Sequence, residues 1–215
     1  MQAASESGHP VSGESTESRP VENPPAPAVS VRRIVLTGFM GAGKSTVGRL
    51  LGRHLDWPFV DSDVEIESAS GLSIPEIFRT HGEPWFRELE YQTIRRLLDS
   101  DGLVLALGGG AIEDERTRQA LFQAPETRLV HLEASMETVL KRCAGSDAFR
   151  PVLADRANLE IRYERRLPLY RQAHLNVSVN ALSPYAVVES VLAQIPQLGP
   201  LLIPLPAKPN GSPWR

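Results

Sequence analysis

The sequence holds a single cysteine, Cys143, among 215 residues, so no intrachain disulfide can form and nothing points to an oxidising compartment. Long apolar runs are missing as well: no stretch approaches the roughly 18 consecutive apolar residues of a membrane span. The N-terminus has no basic start followed by an apolar segment, which argues against a secretory signal. A cytoplasmic protein without membrane contact is the expectation. Positive charge is not in excess either, with 23 Lys and Arg against 26 Asp and Glu and a net charge of −3. Nucleic-acid-binding domains usually carry a basic surplus on one face, so no nucleic-acid partner is expected. Any anionic ligand must then be held by a few local basic groups. His54, His81, His131 and His174 show no metal-ligand spacing with one another or with Cys143, and these five residues are read as packed structural groups.

What is present fits one well-filled domain. Hydrophobic residues make up 41% and charged residues 23%, within the globular range, and the length suits a single α/β core. Residues 1–30 contain no aromatic residue, leucine or isoleucine. They cannot bury enough apolar surface to offset the entropy of ordering them and are expected to form a disordered tail. Residues 196–215 form a second, proline-rich tail, in which repeated proline prevents a continuous helix. Between the tails, over 31–195, short apolar runs at 33–37, 58–61, 103–107, 128–132 and 175–179 read as strands. Most are apolar on both faces, as strands of a covered parallel sheet are. Helical periodicity is predicted for 44–54, 84–98, 114–122, 136–143, 158–172 and 184–195. The alternation predicts a doubly wound, five-stranded parallel sheet of the P-loop type, with ligands at the carboxyl ends of its strands.

The strongest local signal is Gly38-Phe-Met-Gly41-Ala-Gly43-Lys44-Ser45-Thr46, which satisfies G-x-x-x-x-G-K-[ST] between a predicted strand and a predicted helix. Glycines let successive N–H groups curl toward phosphate oxygens, and the positive end of the next helix assists them. Gly41, Ala42, Gly43, Lys44, Ser45 and Thr46 are therefore the nucleotide-binding candidates, with Lys44 on the β and γ phosphates and Ser45 on Mg²⁺. No Asn/Thr-Lys-x-Asp guanine reader occurs, which favours ATP, and the chain is too short for a motor. A small-molecule kinase remains.

The predicted third strand ends in Gly108-Gly109-Gly110, with no acid at its tip to contact the metal. Asp61 and Asp63, at the end of the second strand, are the available acids. Asp61 is assigned to the Mg²⁺ shell through water and Asp63 to the acceptor hydroxyl. The competing reading is that Asp61 or Ser62 simply caps the next helix. The glycine triplet implies close backbone approach to something, either an acceptor or only a tight turn. Arg87 and Arg166 are ordinary in isolation, and Arg87 can equally be paired with Glu90 or Tyr91.

Taken in order, the loop, Asp61-Ser-Asp63, Phe86-Arg87-x-x-Glu90, the triplet, Arg150-Pro151-x-Leu153 and Arg166-x-Pro168-Leu169-Tyr170 resemble the shikimate kinases over residues 33–195. The resemblance implies ATP and shikimate as substrates and Mg²⁺ as cofactor. It places Asp63 on the shikimate hydroxyls, Arg87 and Arg166 on its carboxylate, and Gly109 backbone nearby. A planar guanidinium fork matches a carboxylate, so two of them would orient the ring. It also implies a lid over ATP within 143–158, with Arg150 on the phosphates, and a monomer is expected. One departure stands out: the arginine often found after the last strand, near adenine, is missing from Val177-Ser-Val-Asn180-Ala-Leu-Ser. Two rivals share the P-loop: a kinase for gluconate or a nucleoside monophosphate, and a non-catalytic nucleotide-dependent binding module.

Overall fold

The computed structural model describes residues 30–144 and 155–198. Most of the expected tails (1–29 and 199–215), the middle of the expected lid and Arg150 lie outside these described residues, whereas the start of the expected C-terminal tail, Pro196–Leu198, forms a 3-10 turn with Leu198 against the core. Five parallel strands, β1 (Arg33–Thr37), β2 (Phe59–Asp61), β3 (Leu103–Ala106), β4 (Thr127–Glu133) and β5 (Leu175–Ser178), form one sheet in the order β2-β3-β1-β4-β5. The central strand β1 is Arg-Ile-Val-Leu-Thr, buried at every position, and pairs with β3 on one side and β4 on the other. That explains its apolar centre, Ile34 to Leu36, since helices cover both faces and neither is left to solvent, while the polar residues Arg33 and Thr37 stand at its two ends.

Six helices follow the predicted pattern within a residue or two: α1 (Lys44–Leu55), α4 (Glu83–Leu97), α5 (Glu115–Gln123), α6 (Met136–Cys143), α7 (Arg156–Tyr170) and α8 (Pro184–Ala193). Two more, α2 (Ser62–Ser70) and α3 (Ile74–Thr80), are additions to that list. Helix α2 has only Ile66 as a buried apolar side chain, too little for a periodic signal. Its ends are instead fixed locally. Asp61 accepts a hydrogen bond from the Asp63 N–H, and Gly71, in the left-handed region at φ 68°, closes the C-terminus. Helix α3 carries a capping box between Ser73 and Glu76 and a proline in its first turn.

Helices α2, α3 and α4 share a small apolar cluster of Ile66, Ile77 and Phe86, separate from the main core around the sheet. Helix α2 begins where β2 ends, at the carboxyl end of the parallel sheet, the side on which the phosphate loop leaves β1.

Candidate active site

The phosphate loop leaves β1 at Thr37 and enters α1 at Lys44. Gly41 and Gly43 hold φ of 71° and 96°, backbone that other residues adopt only with strain. Gly43 caps α1 without a side-chain hydrogen bond, and the first turn of the helix contains no acidic residue. The N–H groups there remain available to an anion, aided by the helix dipole. The Lys44 ammonium spans the loop, donating to the carbonyls of Gly38 at 2.8 Å and Phe39 at 3.3 Å. Burial holds its pKa below the ordinary lysine value, with the charges of Asp63 and Asp61 pulling the other way.

Asp61 caps the next helix, as one reading of its position has it, and also meets the phosphate-loop hydroxyl. One carboxylate oxygen accepts the Asp63 N–H at 3.2 Å, capping α2, and the other accepts the Ser45 hydroxyl at 2.7 Å. A hydroxyl beside a carboxylate is a donor set that suits Mg²⁺, which takes few protein ligands and keeps water and phosphate oxygens for the rest. Among the described residues no cluster of three or more His, Cys, Asp or Glu that could hold a metal ion occurs. Asp63, in the first turn of α2, has its pKa raised by burial and then by the Asp61 charge, while Lys44 opposes the shift.

The glycine triplet organises the acceptor side. Gly108 donates its N–H to the buried Ser62 hydroxyl at 2.9 Å, tying the triplet to α2. Tyr170 donates its hydroxyl to the Gly109 carbonyl at 2.5 Å, tying it to α7. Each glycine faces a different candidate. A side chain on Gly108 would meet the Asp63 carboxylate, one on Gly109 would sit 3.7 Å from Arg166 Nη1, and one on Gly110 would sit 2.8 Å from Arg87 Nη2. The triplet is therefore a place of close approach rather than only a turn, and it gathers Asp63, Arg166 and Arg87 around one strand end.

Both arginines are already engaged. Arg87 donates to Glu90 at 2.7 Å and to Glu83 at 3.0 Å, so the pairing foreseen with Glu90 exists alongside the approach to Gly110. Glu90 is 1% exposed, and burial pushes its pKa up to about 7 although Arg87 opposes this. Arg166 donates through Nε to Glu113 at 2.8 Å and lies 5.9 Å from the centre of the Phe39 ring.

Several residues of this region carried no sequence signal. Glu113 is one, and Arg142 is another. From the last turn of α6, Arg142 donates to the carbonyls of Gly41 and Ala42, both at 3.2 Å, and to that of Val179 at 2.9 Å. It thus joins the phosphate loop to the segment after β5, where the missing late arginine was expected. Cys143 is 1% exposed and packs against the loop, with its Sγ 2.9 Å from where a side chain on Gly41 would begin. His131 bonds Asn176 and stacks on Tyr170 at 5.2 Å, a packed role as expected.

The family model for shikimate kinase matches residues 40–196. A shikimate kinase of Persephonella marina is 41% identical over 166 residues, spanning 77% of this chain and 99% of its own. One from Pseudomonas putida is 45% identical over 174 residues, 79% of this chain and 99% of its own. In three dimensions, a shikimate kinase from Acinetobacter baumannii in complex with shikimate superposes with a TM-score of 0.71 at 37% identity, covering 78% of this chain and 94% of that one. With its five-stranded P-loop fold and these relatives, the chain belongs to the shikimate kinase family.

Proposed function

We propose that this protein transfers the γ-phosphoryl group of ATP to a hydroxyl of shikimate, giving shikimate 3-phosphate and ADP. The observation that carries this reading is the convergence of Asp63, Arg166 and Arg87 on three successive glycines next to the phosphate loop. One carboxylate and two guanidinium forks match an alcohol that also bears a carboxylate. A gluconate or nucleotide kinase has no need of that combination, and a binding module has no need of a carboxylate aimed at an acceptor hydroxyl.

Phosphoryl transfer passes through a loose transition state, so positioning and charge neutralisation supply most of the catalysis. The N–H groups of Gly41 to Thr46 and the Lys44 ammonium hold the phosphate chain. Lys44 is free to do so because its present partners are carbonyls, which a phosphate outcompetes as an acceptor. Ser45, and Asp61 through water, would hold Mg²⁺, which when bound neutralises charge on the β and γ oxygens. Asp63 orients the acceptor hydroxyl. As the oxygen bonds to the γ-phosphorus and the bond to the β-γ bridging oxygen breaks, the hydroxyl proton passes to Asp63. The raised pKa of this carboxylate suits it to that task, because a base nearer neutrality accepts a proton more readily. Arg87 and Arg166 hold the shikimate carboxylate, with Gly109 backbone beside the ring. Arg150 is assigned to the phosphates on the Arg150-Pro151 motif alone.

A monomer is proposed as the working unit. Among the described residues no helix is long and apolar enough to cross a membrane. A coupled assay of ADP formation with shikimate, quinate, gluconate or no acceptor tests the reading. Turnover that depends on shikimate and Mg²⁺ is expected. Equal ADP formation without acceptor, or with gluconate in place of shikimate, refutes it.

A further inference from the structure

Glu113 ends the 3-10 turn Ala111–Glu113 that follows the glycine triplet, and its carboxylate is divided between two adjacent arginines of α7. Its Oε2 accepts a hydrogen bond from Nε of Arg166 at 2.8 Å and lies in ion-pair contact with Nη2 at 2.7 Å. Its Oε1 takes Arg165 at 2.5 Å. The two halves differ in setting: Arg166 and Glu113 are 12% and 18% exposed as side chains, whereas Arg165 is 60% exposed. The Arg165 contact is screened by water and weak, while the Arg166 contact is sheltered.

The pairing uses one particular edge of the guanidinium. A planar arginine offers a side edge, Nε with Nη2, and an end edge, Nη1 with Nη2. Glu113 occupies the side edge. What remains for a further carboxylate is the end edge, where Nη1 faces Gly109 with the Tyr170 hydroxyl, a hydrogen-bonding neighbour of Arg166, alongside. The opposite face of the guanidinium is limited by the Phe39 ring, itself braced edge-on by Tyr163 at 5.3 Å. Side edge, ring face and end edge thus each meet a different group.

We propose that Glu113 is a positioning residue for the acceptor clamp: it takes the side edge of Arg166 and so presents the end edge to the shikimate carboxylate. This role presupposes that Arg166 binds the acceptor, as proposed above. An anionic side chain beside an anion-binding arginine has two opposed effects. It removes positive charge from the pocket, and it removes rotamer freedom from the arginine that must be lost on binding anyway. The sheltered bifurcated contact, built on one oxygen, makes the second effect dominant, because preorganisation lowers the cost of binding while the substrate still gains its own charge-assisted bonds.

The two effects have opposite signs in an experiment. In Glu113→Gln the KM and the binding constant for shikimate should weaken about tenfold, the scale of one lost charge-assisted hydrogen bond. The kcat should stay within about threefold and the KM for ATP should not move, because neither the phosphate loop nor Asp63 is touched. Glu113→Asp should recover part of the loss. Arg165→Ala, which removes only the exposed contact, should change shikimate binding less than about twofold. In an Arg166→Ala background, Glu113→Gln should have no further effect on shikimate binding measured by calorimetry.

Thermal unfolding of each variant, with ATP binding, reports whether the fold is intact. Tighter or unaltered shikimate binding in Glu113→Gln overturns the proposal, as does an undiminished effect of Glu113→Gln when Arg166 is absent. A loss in Arg165→Ala as large as that in Glu113→Gln overturns it too. Arg166→Lys separates this failure from failure of the underlying assignment. Unchanged shikimate affinity in that variant removes Arg166 from the acceptor site, whereas a clear loss there with normal Glu113→Gln leaves the clamp standing and discards only its brace.

Discussion

Replacing the three glycines of the triplet by alanine, one at a time, should separate the groups of the acceptor site, because each added methyl meets a different one. None of the three has φ in the left-handed region, so alanine is compatible with the backbone and only the added atom matters. At Gly108 the methyl would land on an Asp63 carboxylate oxygen, 3.1 Å from its Cγ and 3.1 Å from Glu90 Oε1. Carbon normally approaches oxygen no closer than about 3.3 Å, so the Asp63 carboxylate must retreat. A displacement near 1 Å in a catalytic group costs on the order of a hundredfold in rate, or about 2.7 kcal/mol in the barrier. The loss should fall on kcat in the coupled ADP assay, with the ATP KM near normal. At Gly110 the methyl would sit 2.8 Å from Arg87 Nη2 and 3.2 Å from Cζ. That is the far end of a flexible side chain, which moves aside, so the shikimate KM should rise while kcat suffers less. At Gly109 the nearest atoms are 3.7 to 3.8 Å away, ordinary contact. The fold should tolerate alanine there, and only the bound acceptor should feel it, through KM. Gly108→Ala with kcat within threefold of the parent refutes the placement of Asp63, and identical kinetic profiles in all three variants refute the division of labour along the triplet.

Asp63→Asn should lower kcat by about 10² to 10⁴-fold, the range for a lost general base, with little change in stability, and near-full turnover would remove it from the proton path. Asp61→Ala loses both a helix cap and the partner of Ser45. It should lower thermal stability by about 1 kcal/mol and raise the Mg²⁺ concentration needed for half-maximal rate; an unaltered Mg²⁺ titration would reduce Asp61 to a cap. Glu90 supplies a pH dependence. Its pKa is raised from 4.5 to about 7 in the fold, so between these values the folded state binds more protons than the unfolded one. Stability should therefore fall as pH rises through that window, by on the order of 3 kcal/mol at most. In Glu90→Gln that decline should flatten, and equal slopes in both proteins between pH 4.5 and 8 would show that Glu90 is not its source.

The sheet was legible because β3 and the centres of β1 and β4, Ile34 to Leu36 and Leu129 to Val130, are apolar and buried, and the phosphate loop because its chemistry is local, from Gly38 to Thr46. Helix α2 was hidden for the opposite reason. With Ile66 as its only buried apolar residue and Val64 61% exposed, it has no apolar stripe to display, and the satellite cluster with Ile77 and Phe86 holds it from outside. Within the site, what spacing could not reveal are pairs remote in sequence. Glu113 and Arg166 are 53 residues apart, and Arg142 and Gly41 are 101 apart. Neither glutamate nor arginine is unusual at its own position, so nothing short of the folded chain marks them.

These remote pairs also explain how an acidic protein keeps a site for two anions. The cations near the triplet are matched in advance, Arg87 by Glu83 and Glu90 and Arg166 by Glu113. Lys44 differs, since its hydrogen-bond partners are carbonyls and the carboxylates of Asp61 and Asp63 act on it only through space. A guanidinium carries five N–H donors, so it can stay paired and still present an unused edge to a carboxylate. An ammonium has three donors and no plane, so it must surrender its partners to a phosphate. Carbonyls release it at far lower cost than a buried carboxylate would. The acceptor side therefore gains orientation from its pre-paired arginines, and the nucleotide side keeps an almost uncommitted charge for the group that moves.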